Sequence, residues 1–350
     1  MAEKNTPEWQ KEESKLTEFK TEIQKNIDKL VVKKADIDAR TKELYDHYHS
    51  SNPELISDLM VSLDMQEQIG ETLNRNLLAK DKPYFGRVDF IDESENRDYS
   101  IYIGKHGISG DDSRALIIDW RAPVSSVYYE SDLGKSSYTA PGGKIPIDLQ
   151  LKRTFEIEEG KLVDYYDTEV IANDDFLLKY LGKNKEIVLG EIIATIQKEQ
   201  NDIIRDTPWH NVLVQGVAGS GKTTVAMHRI SYILYNYAKR FKPQEFYIIG
   251  SNKMLLNYIT GVLPDLDVHG VNQMTLEEFF LHLLDRNFIL KKSAKKPEQS
   301  GALIGFKGSI AYMRVLEEYM DFELSPKSPA FYIQRKKYLR AMSSTKAKHI

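Results

Sequence analysis

Three hydrophobic periods succeed one another along the chain. From Pro7 to His49, Leu16, Phe19, Ile23, Ile27, Leu30, Ile37 and Leu44 recur at threes, fours and sevens, with Glu and Lys between them. This spacing predicts one long amphipathic helix, and so narrow a stripe suits a coiled-coil seam better than a globular core. The stretch from Ser50 to Pro53 breaks it, with Pro53 well placed in the first turn of the next helix. A second periodic run, Ile56, Leu59, Leu63, Ile69, Leu73 and Leu77, continues to about Ala79, so residues 1–82 read as an antiparallel helical hairpin. At 1.5 Å per residue, a helix of ~40 residues reaches ~60 Å. Two readings are open: a packing or dimerisation coil, or an arm projecting toward a partner. The tip of such an arm would carry Asp46, Glu54 and Asp58 beside His47, Tyr48 and His49. The two histidines have poor spacing for a metal and read as solvated.

From Pro83 the period becomes two. Phe85/Val88/Phe90, Tyr99/Ile101/Ile103, Leu116 to Ile118, Val127 to Tyr129, Ile145 to Leu151, Phe155/Ile157 and Leu162 to Tyr165 read as short strands. Turn-formers separate them, among them Pro141 to Gly143 and Glu158 to Gly160. Residues 83–172 are therefore expected to form a small antiparallel β-rich module. Within it, Asp119-Trp120-Arg121-Ala122-Pro123 reads as a buried ion pair packed on Trp120. No catalytic constellation is visible there.

The third period alternates strand and helix, which argues a parallel sheet with crossover helices. Helix is expected at Asp174 to Leu181 and at about Gly190 to Arg205. Val212 to Val214 reads as a buried strand, followed by the helix carrying Val225, Met227, Ile230, Ile233 and Leu234. Glu245 to Gly250 is a second strand, then a helix through Val262, a third strand within Val268 to Met274, and a helix capped by Thr275. Residues 173–285 would then be the first part of a parallel α/β domain. Residues 286–350 follow as a charged connector and mixed helical sequence with a basic cluster at Arg335, Lys336, Lys337 and Arg340.

Between the strand at 212–214 and its helix lies Gly216-Val217-Ala218-Gly219-Ser220-Gly221-Lys222-Thr223-Thr224, the spacing G-x-x-x-x-G-K-[ST]. Glycines permit positive φ and bring backbone N–H groups close to phosphate oxygens. The helix start adds unsatisfied donors and a positive dipole end. Lys222 supplies a charge for the β- and γ-phosphates, and the Thr223 hydroxyl is placed to coordinate Mg²⁺. The expectation is ATP with Mg²⁺, held by residues 216–224, with Lys222 and Thr223 acting in the chemistry.

Composition narrows the class. The chain has 350 residues, 41% hydrophobic and 29% charged, with a net charge of −4 and no cysteine. Two or three domains fit this length, disulfides and thiolate chemistry are excluded, and no general pull toward nucleic acid or membrane is expected. No apolar run approaches the ~20 residues of a membrane helix. The reading is a cytoplasmic protein.

Three features together resemble superfamily 1 helicases of the UvrD/Rep type. Gln200, about twenty residues before Lys222, looks like the glutamine that reads the adenine edge in that superfamily, with Gln197 as a competitor. The helix running through His228 and Arg229 is similar to the one that follows the phosphate loop there. Gly250 to Lys253 and Met274 to Phe279 fall where two single-strand contact segments would lie, which makes Asn252, Lys253 and Thr275 candidates for nucleic acid. Tyr258, Phe279 and Phe280 could stack on bases or belong to the core. The helical hairpin, Pro83 to Phe90 and Asp119 to Pro123 together look like the HelD family, whose members bind bacterial RNA polymerase. In that family the hairpin enters the secondary channel and an inserted arm the primary channel, and stalled polymerase is recycled with ATP. The resemblance covers the chain to about residue 285. It implies a coiled-coil hairpin, a β module and an incomplete RecA-like P-loop domain, with single-stranded DNA as a possible partner.

That superfamily also needs an Asp-Glu pair on a later strand and arginines from a second motor domain. No such acidic pair ends a plausible strand after Thr275. The resemblance therefore implies the N-terminal part of a longer protein, inactive as an ATPase by itself. The alternative is a helicase that translocates on single-stranded DNA and uses the hairpin only for packing.

Overall fold

The computed structural model describes residues 6–47, 53–110, 114–167, 193–194, 196–217, 219–287, 305 and 309–323. The chain divides into two compact units, residues 1–281 and 282–350. In the second unit the described helix is α8 (Ile310–Glu323), which exposes Met313 and Val315. The expected helix at 174–181, the connector at 291–300 and the basic cluster at 335–340 lie outside the described residues.

The first unit opens with α1 (Pro7–Asp46) and α2 (Pro53–Ala79). Thr6 caps α1 by accepting from Trp9 N at 3.2 Å, and Pro7 takes the first turn, where its missing N–H costs nothing. Asn26 bonds Asn76, Asp38 accepts from Gln66 at 2.6 Å, and Thr41 shares a 2.7 Å bond with Ser62. Ascending numbers on one helix meet descending numbers on the other, so the two run antiparallel, as expected.

The seam explains only the outer half of α1. Its first half, Trp9, Glu12, Leu16, Phe19, Ile23 and Ile27, is buried against the sheet with Tyr84, Tyr102, Phe155 and Leu162. Phe19 meets Tyr84 and Tyr102 edge-on at 5.7 and 5.0 Å. Beyond Ile27, among the described residues, α2 is the element that packs on α1, and Val31, Val32, Met60 and Val61 are exposed. The hairpin is thus rooted in a core and bare toward its tip.

The sheet contains β1 (Gly86–Asp92), β2 (Arg97–Gly104), β3 (Ile108–Ser109), β4 (Ala115–Asp119), β5 (Gly134–Ala140), β6 (Gly143–Glu158) and β7 (Lys161–Asp167). Its order is β3-β4-β2-β1-β6-β5, with β7 also on β6. Three expectations need correction. The module is mixed, because β2 and β4 pair in parallel. The runs at 145–151 and 155–157 are one 16-residue strand, which pairs with β1, β5 and β7. Val127 to Tyr129 is helix, α3 (Ser126–Glu130), with all three residues buried. Continuous burial removes the alternation that separates a strand from a helical turn.

Five further elements follow: α4 (Lys198–Arg205), α5 (Lys222–Asn236), β8 (Tyr247–Gly250), α6 (Lys253–Val262) and β9 (Asn272–Thr275), with α7 (Leu276–Asn287) after them. β8 and β9 pair in parallel. The sheet expectation holds that far and stops. Val212 to Val214 forms no strand; Leu213 is 95% exposed. A parallel strand needs neighbours and covered faces, and among the described residues none lies beside this segment to accept its bonds. Of the helix expected from about Gly190 to Arg205, residues 190–192 and 195 lie outside the described residues and the described α-helix starts at Lys198; the strand within 268–274 is confined to β9. A continuous apolar core still joins the sheet to this region, running from Phe85, Val88 and Trp120 through Ile193, Ile204, Val225 and Met227 to Leu256 and Val268. No described helix is long and apolar enough to cross a membrane.

Candidate functional site

The glycine-rich turn takes the shape its residues require. Gly219 and Gly221 adopt φ of 82° and 79°, values an L side chain resists. A Cβ on Gly216 would lie 2.6 Å from Ser220 Oγ, and one on Gly221 would lie 3.3 Å from Gln200 Nε2. Gly221 caps α5 without a side chain, so the first-turn N–H groups receive no side-chain acceptor from the cap. Their partial positive charge faces outward with Ser220 and Thr223, which are exposed. Lys222 folds back over the turn, its Nζ donating to Gly216 O at 2.9 Å and to Val217 O at 2.6 Å. An ammonium bound to two carbonyls of its own loop has exchangeable partners. Thr224 is half-buried, and Ala218 lies outside the described residues.

Gln200 is the third residue of α4, and its Oε1 accepts from Gln197 N at 3.3 Å. Its amide nitrogen therefore approaches the glycine-rich turn while its oxygen closes the capping box. Gln197 is the cap. Arg229 sits elsewhere: its guanidinium donates to Ile203 O at 2.6 Å, Asp206 O at 2.8 Å and Thr207 O at 2.9 Å. The first two are orphan acceptors at the end of α4, and Thr207 follows its cap. Arg229 thus ties α5 to α4 and, through that helix, fixes Gln200.

Asp119 to Pro123 forms the joint between the large sheet and α5. Asp119 takes Arg121 in a bidentate grip, with Nε at 2.8 Å and Nη2 at 2.7 Å. The same guanidinium reaches Asp267 Oδ2 at 3.0 Å, Ser231 Oγ on α5 at 3.0 Å and Leu266 O at 3.2 Å. Burial works against the Arg121 charge, but Asp119 and Asp267 outweigh it and raise the pKa above the usual arginine value. Burial likewise disfavours the Asp267 carboxylate, yet bonds from His106 and Arg121 hold it well below the usual range. Trp120 lies edge-on to His228 of α5 at 5.5 Å. Burial pushes the His228 pKa down to about 4, and its Nδ1 shares a 2.7 Å bond with Thr224 O. The buried ion pair expected on Trp120 is present, and its partners make it a joint.

The register Gly250↔Thr275 starts α6 and α7 side by side. Lys253 and Thr275 meet there through Glu278, which accepts from Lys253 Nζ at 2.8 Å and Thr275 N at 2.9 Å. The bond from Lys253, then those from Thr275, lower the Glu278 pKa to about 2. Asn252 lies next in chain and is exposed. Phe279 packs on Tyr247 at 5.9 Å, whereas Phe280 is 54% exposed. The Tyr258 side chain lies outside the described residues. Sequence reasoning missed Asp267 and Glu278. A Thr-x-x-Glu box at 275–278 was the available signal for Glu278; Asp267 had none, since its partners come from residues 106 and 121.

Compared with known proteins, residues 9–178 match the family described as DNA helicase IV HelD, N-terminal domain. A search of curated proteins returned no match. The matched region spans the rooted hairpin, the mixed sheet and the Asp119 to Pro123 joint. Residues 9–178 thus carry a HelD-type N-terminal domain.

Proposed function

We propose that this chain is the arm-bearing and nucleotide-binding portion of an ATP-dependent, helicase-like factor that engages RNA polymerase and releases or recycles stalled complexes. The nucleotide half of this reading rests on one observation: two left-handed glycines and an uncapped helix start surround a lysine bound only to its own loop. Phosphate oxygens would replace the Gly216 and Val217 carbonyls as Lys222 partners, with backbone N–H groups of residues 216–224 around them. The exposed Thr223 hydroxyl fits a Mg²⁺ ligand, and Gln200 stands where an adenine edge could be read. The P-loop of a RecA-like domain is the fold this implies. Bound Mg-ATP supplies the phosphoryl chemistry; the residues present bind and orient it.

Calorimetry of Mg-ATP on the chain is the test. Saturable uptake is expected, with loss in Lys222→Ala; no uptake by the unaltered chain would end the nucleotide reading. The polymerase half rests on the hairpin, whose bare outer part exposes Val31, Val32, Met60 and Val61. Deleting the whole hairpin would remove Phe19 and Glu12 from the core, so residues 40–64 are better replaced by a short flexible linker. Co-purification with polymerase should then disappear while the fold survives.

A second reading, a translocase on single-stranded DNA, draws support from the family's description as a DNA helicase and from the meeting of Lys253 and Thr275 at Glu278, with Asn252 next in chain. It expects single-stranded DNA to bind without polymerase, and Lys253→Ala to weaken that binding while sparing polymerase capture.

A further inference from the structure

Where α5 ends, the chain folds four aromatic rings against one another. Trp209, from the segment before the glycine-rich turn, packs on Phe241 with ring centres 5.5 Å apart and meets Tyr237 edge-on at 6.2 Å. Phe241 in turn meets Phe246 at 6.0 Å. Tyr237, Phe241 and Phe246 are half-buried, whereas Trp209 is 59% exposed. Its segment is fixed from both sides. Trp209 N donates to Thr207 Oγ1 at 3.4 Å, and Arg229 of α5 holds Thr207 O at 2.9 Å. The result is a large flat ring, held in place and left open to water.

The charge beside it is of one sign. The Arg240 guanidinium carbon lies 5.3 Å from the Trp209 ring centre. Lys239 and Lys242 flank Arg240 and Phe241 in the chain, are exposed, and form no ion pair among the described residues. The nearby carboxylates are engaged elsewhere. Asp206 accepts from His210 Nε2 at 2.7 Å and from Thr207 N at 2.8 Å, and Glu245 accepts from Lys242 N at 3.0 Å. An open ring beside cations is the chemistry that holds an unpaired nucleic-acid strand, with a base on the ring and phosphates on the charges. A purely apolar partner would leave the cations unanswered. A duplex would leave the ring unanswered, because its bases already stack on one another.

We infer that this cluster binds an unpaired oligonucleotide strand, one base stacked on Trp209 and the flanking phosphates answered by Lys239, Arg240 and Lys242. The Arg240 guanidinium exchanges an exposed contact with the ring for a phosphate. The cluster stands apart from the glycine-rich turn and from Lys253. The 15 residues of α5 put ~22 Å between it and Lys222. β8 leads from Phe246 away to Gly250, beside the start of α6. Binding here requires neither nucleotide uptake nor translocation.

The test is a fluorescein-labelled oligothymidylate of eight nucleotides, titrated into the full chain and read in two ways. Anisotropy reports binding. Tryptophan emission reports stacking on Trp209, since Trp9 and Trp120 are 5% and 1% exposed. Saturable binding with quenching is expected, and a log–log plot of affinity against salt should fall with a slope of about −2, set by three cations. Trp209→Leu keeps an apolar cover on Phe241 but removes the stack. Affinity should then fall roughly tenfold or more, with the salt slope unchanged. Lys239→Gln combined with Lys242→Gln should instead make the slope shallower by about 1.4. Quenching should survive Lys253→Ala. Binding without quenching, or equal affinity of Trp209→Leu and the unaltered chain, would overturn the assignment and leave the translocase reading standing. No anisotropy change at all would end both.

Discussion

At the root of α1 the Glu12 carboxylate is 0% exposed and accepts from Arg87 at 2.6 Å, Arg153 at 2.7 Å and Tyr102 at 2.9 Å. At the glycine-rich turn the Lys222 ammonium bonds two carbonyls of its own loop, with neighbours that are exposed. Both clusters set charge against hydrogen-bonding groups, but they are finished to different degrees. Around Glu12 a second layer completes the network: Asp89 holds Arg87 and Asp167 holds Arg153, each at 2.6 Å. Both Glu12 oxygens in that cluster already accept bonds from buried side chains. Around Lys222 every donor could change partner at little cost, because water stands ready to replace the loop carbonyls. A closed network carries stability, and an open one can receive a ligand.

The largest test of this contrast is Glu12→Ala. It leaves two buried guanidinium groups without their shared partner, and breaking a buried pair in this way costs about 3–5 kcal/mol. Urea denaturation should show the loss. A cost under about 1 kcal/mol would mean that the network is wetter than its burial implies. Next comes His228, on α5, the helix that Lys222 begins. Its pKa lies at about 4 when folded, against 6.5 for the free side chain. Above pH 6.5 both states are neutral and its contribution is whole. As pH falls from 6.5 toward 4, the unfolded chain takes the proton and the folded one refuses it. Stability then drops by ~1.4 kcal/mol per pH unit, about 3 kcal/mol in all. The difference between the protein and His228→Gln isolates this slope; parallel acid limbs for the two would show that residue 228 is solvated.

A smaller effect is expected at the joint. Ser231 Oγ donates to Leu266 O at 2.7 Å and accepts from Arg121 at 3.0 Å, fully inside. Ser231→Ala removes both bonds but leaves Arg121 its two carboxylates, so about 1 kcal/mol should be lost. Thermal melts at constant pH would measure it. A loss as large as that of Glu12→Ala would make the joint, and not the hairpin root, the tighter of the two networks.

How much of this was legible in the sequence follows the same division. Period and turn chemistry located the two long helices, and the Glu158 to Gly160 turn appeared as expected, with Glu159 and Gly160 at positive φ. The glycine-rich turn was legible because its chemistry is local: Gly216, Gly221, Lys222 and Thr223 mark both shape and charge. Glu12 was legible in hindsight only, as a charged residue in register with Trp9, Leu16 and Phe19. An apolar stripe does not reveal which surface will cover it, so the rooting of α1 on the sheet went unread. Tyr128 misled for a related reason: burial on every side erased its period. Val212 to Val214 misled in the opposite sense. Its composition is that of a buried strand, but a strand exists only beside a partner, and composition cannot supply one.

The smallest expected change in stability belongs to Lys222→Ala, and it is the sharpest test of the contrast. The side chain is only half-buried, and its bonds to Gly216 O and Val217 O can pass to water. Removing it should alter unfolding free energy by no more than about 0.5 kcal/mol, while abolishing the Mg-ATP uptake proposed for the turn. The two measurements are made on one variant under one buffer. A stability loss of about 2 kcal/mol or more would show that the Lys222 bonds hold the turn together as Glu12 holds the hairpin root. The lysine would then be a structural staple, and the open network imagined at this turn would be a closed one.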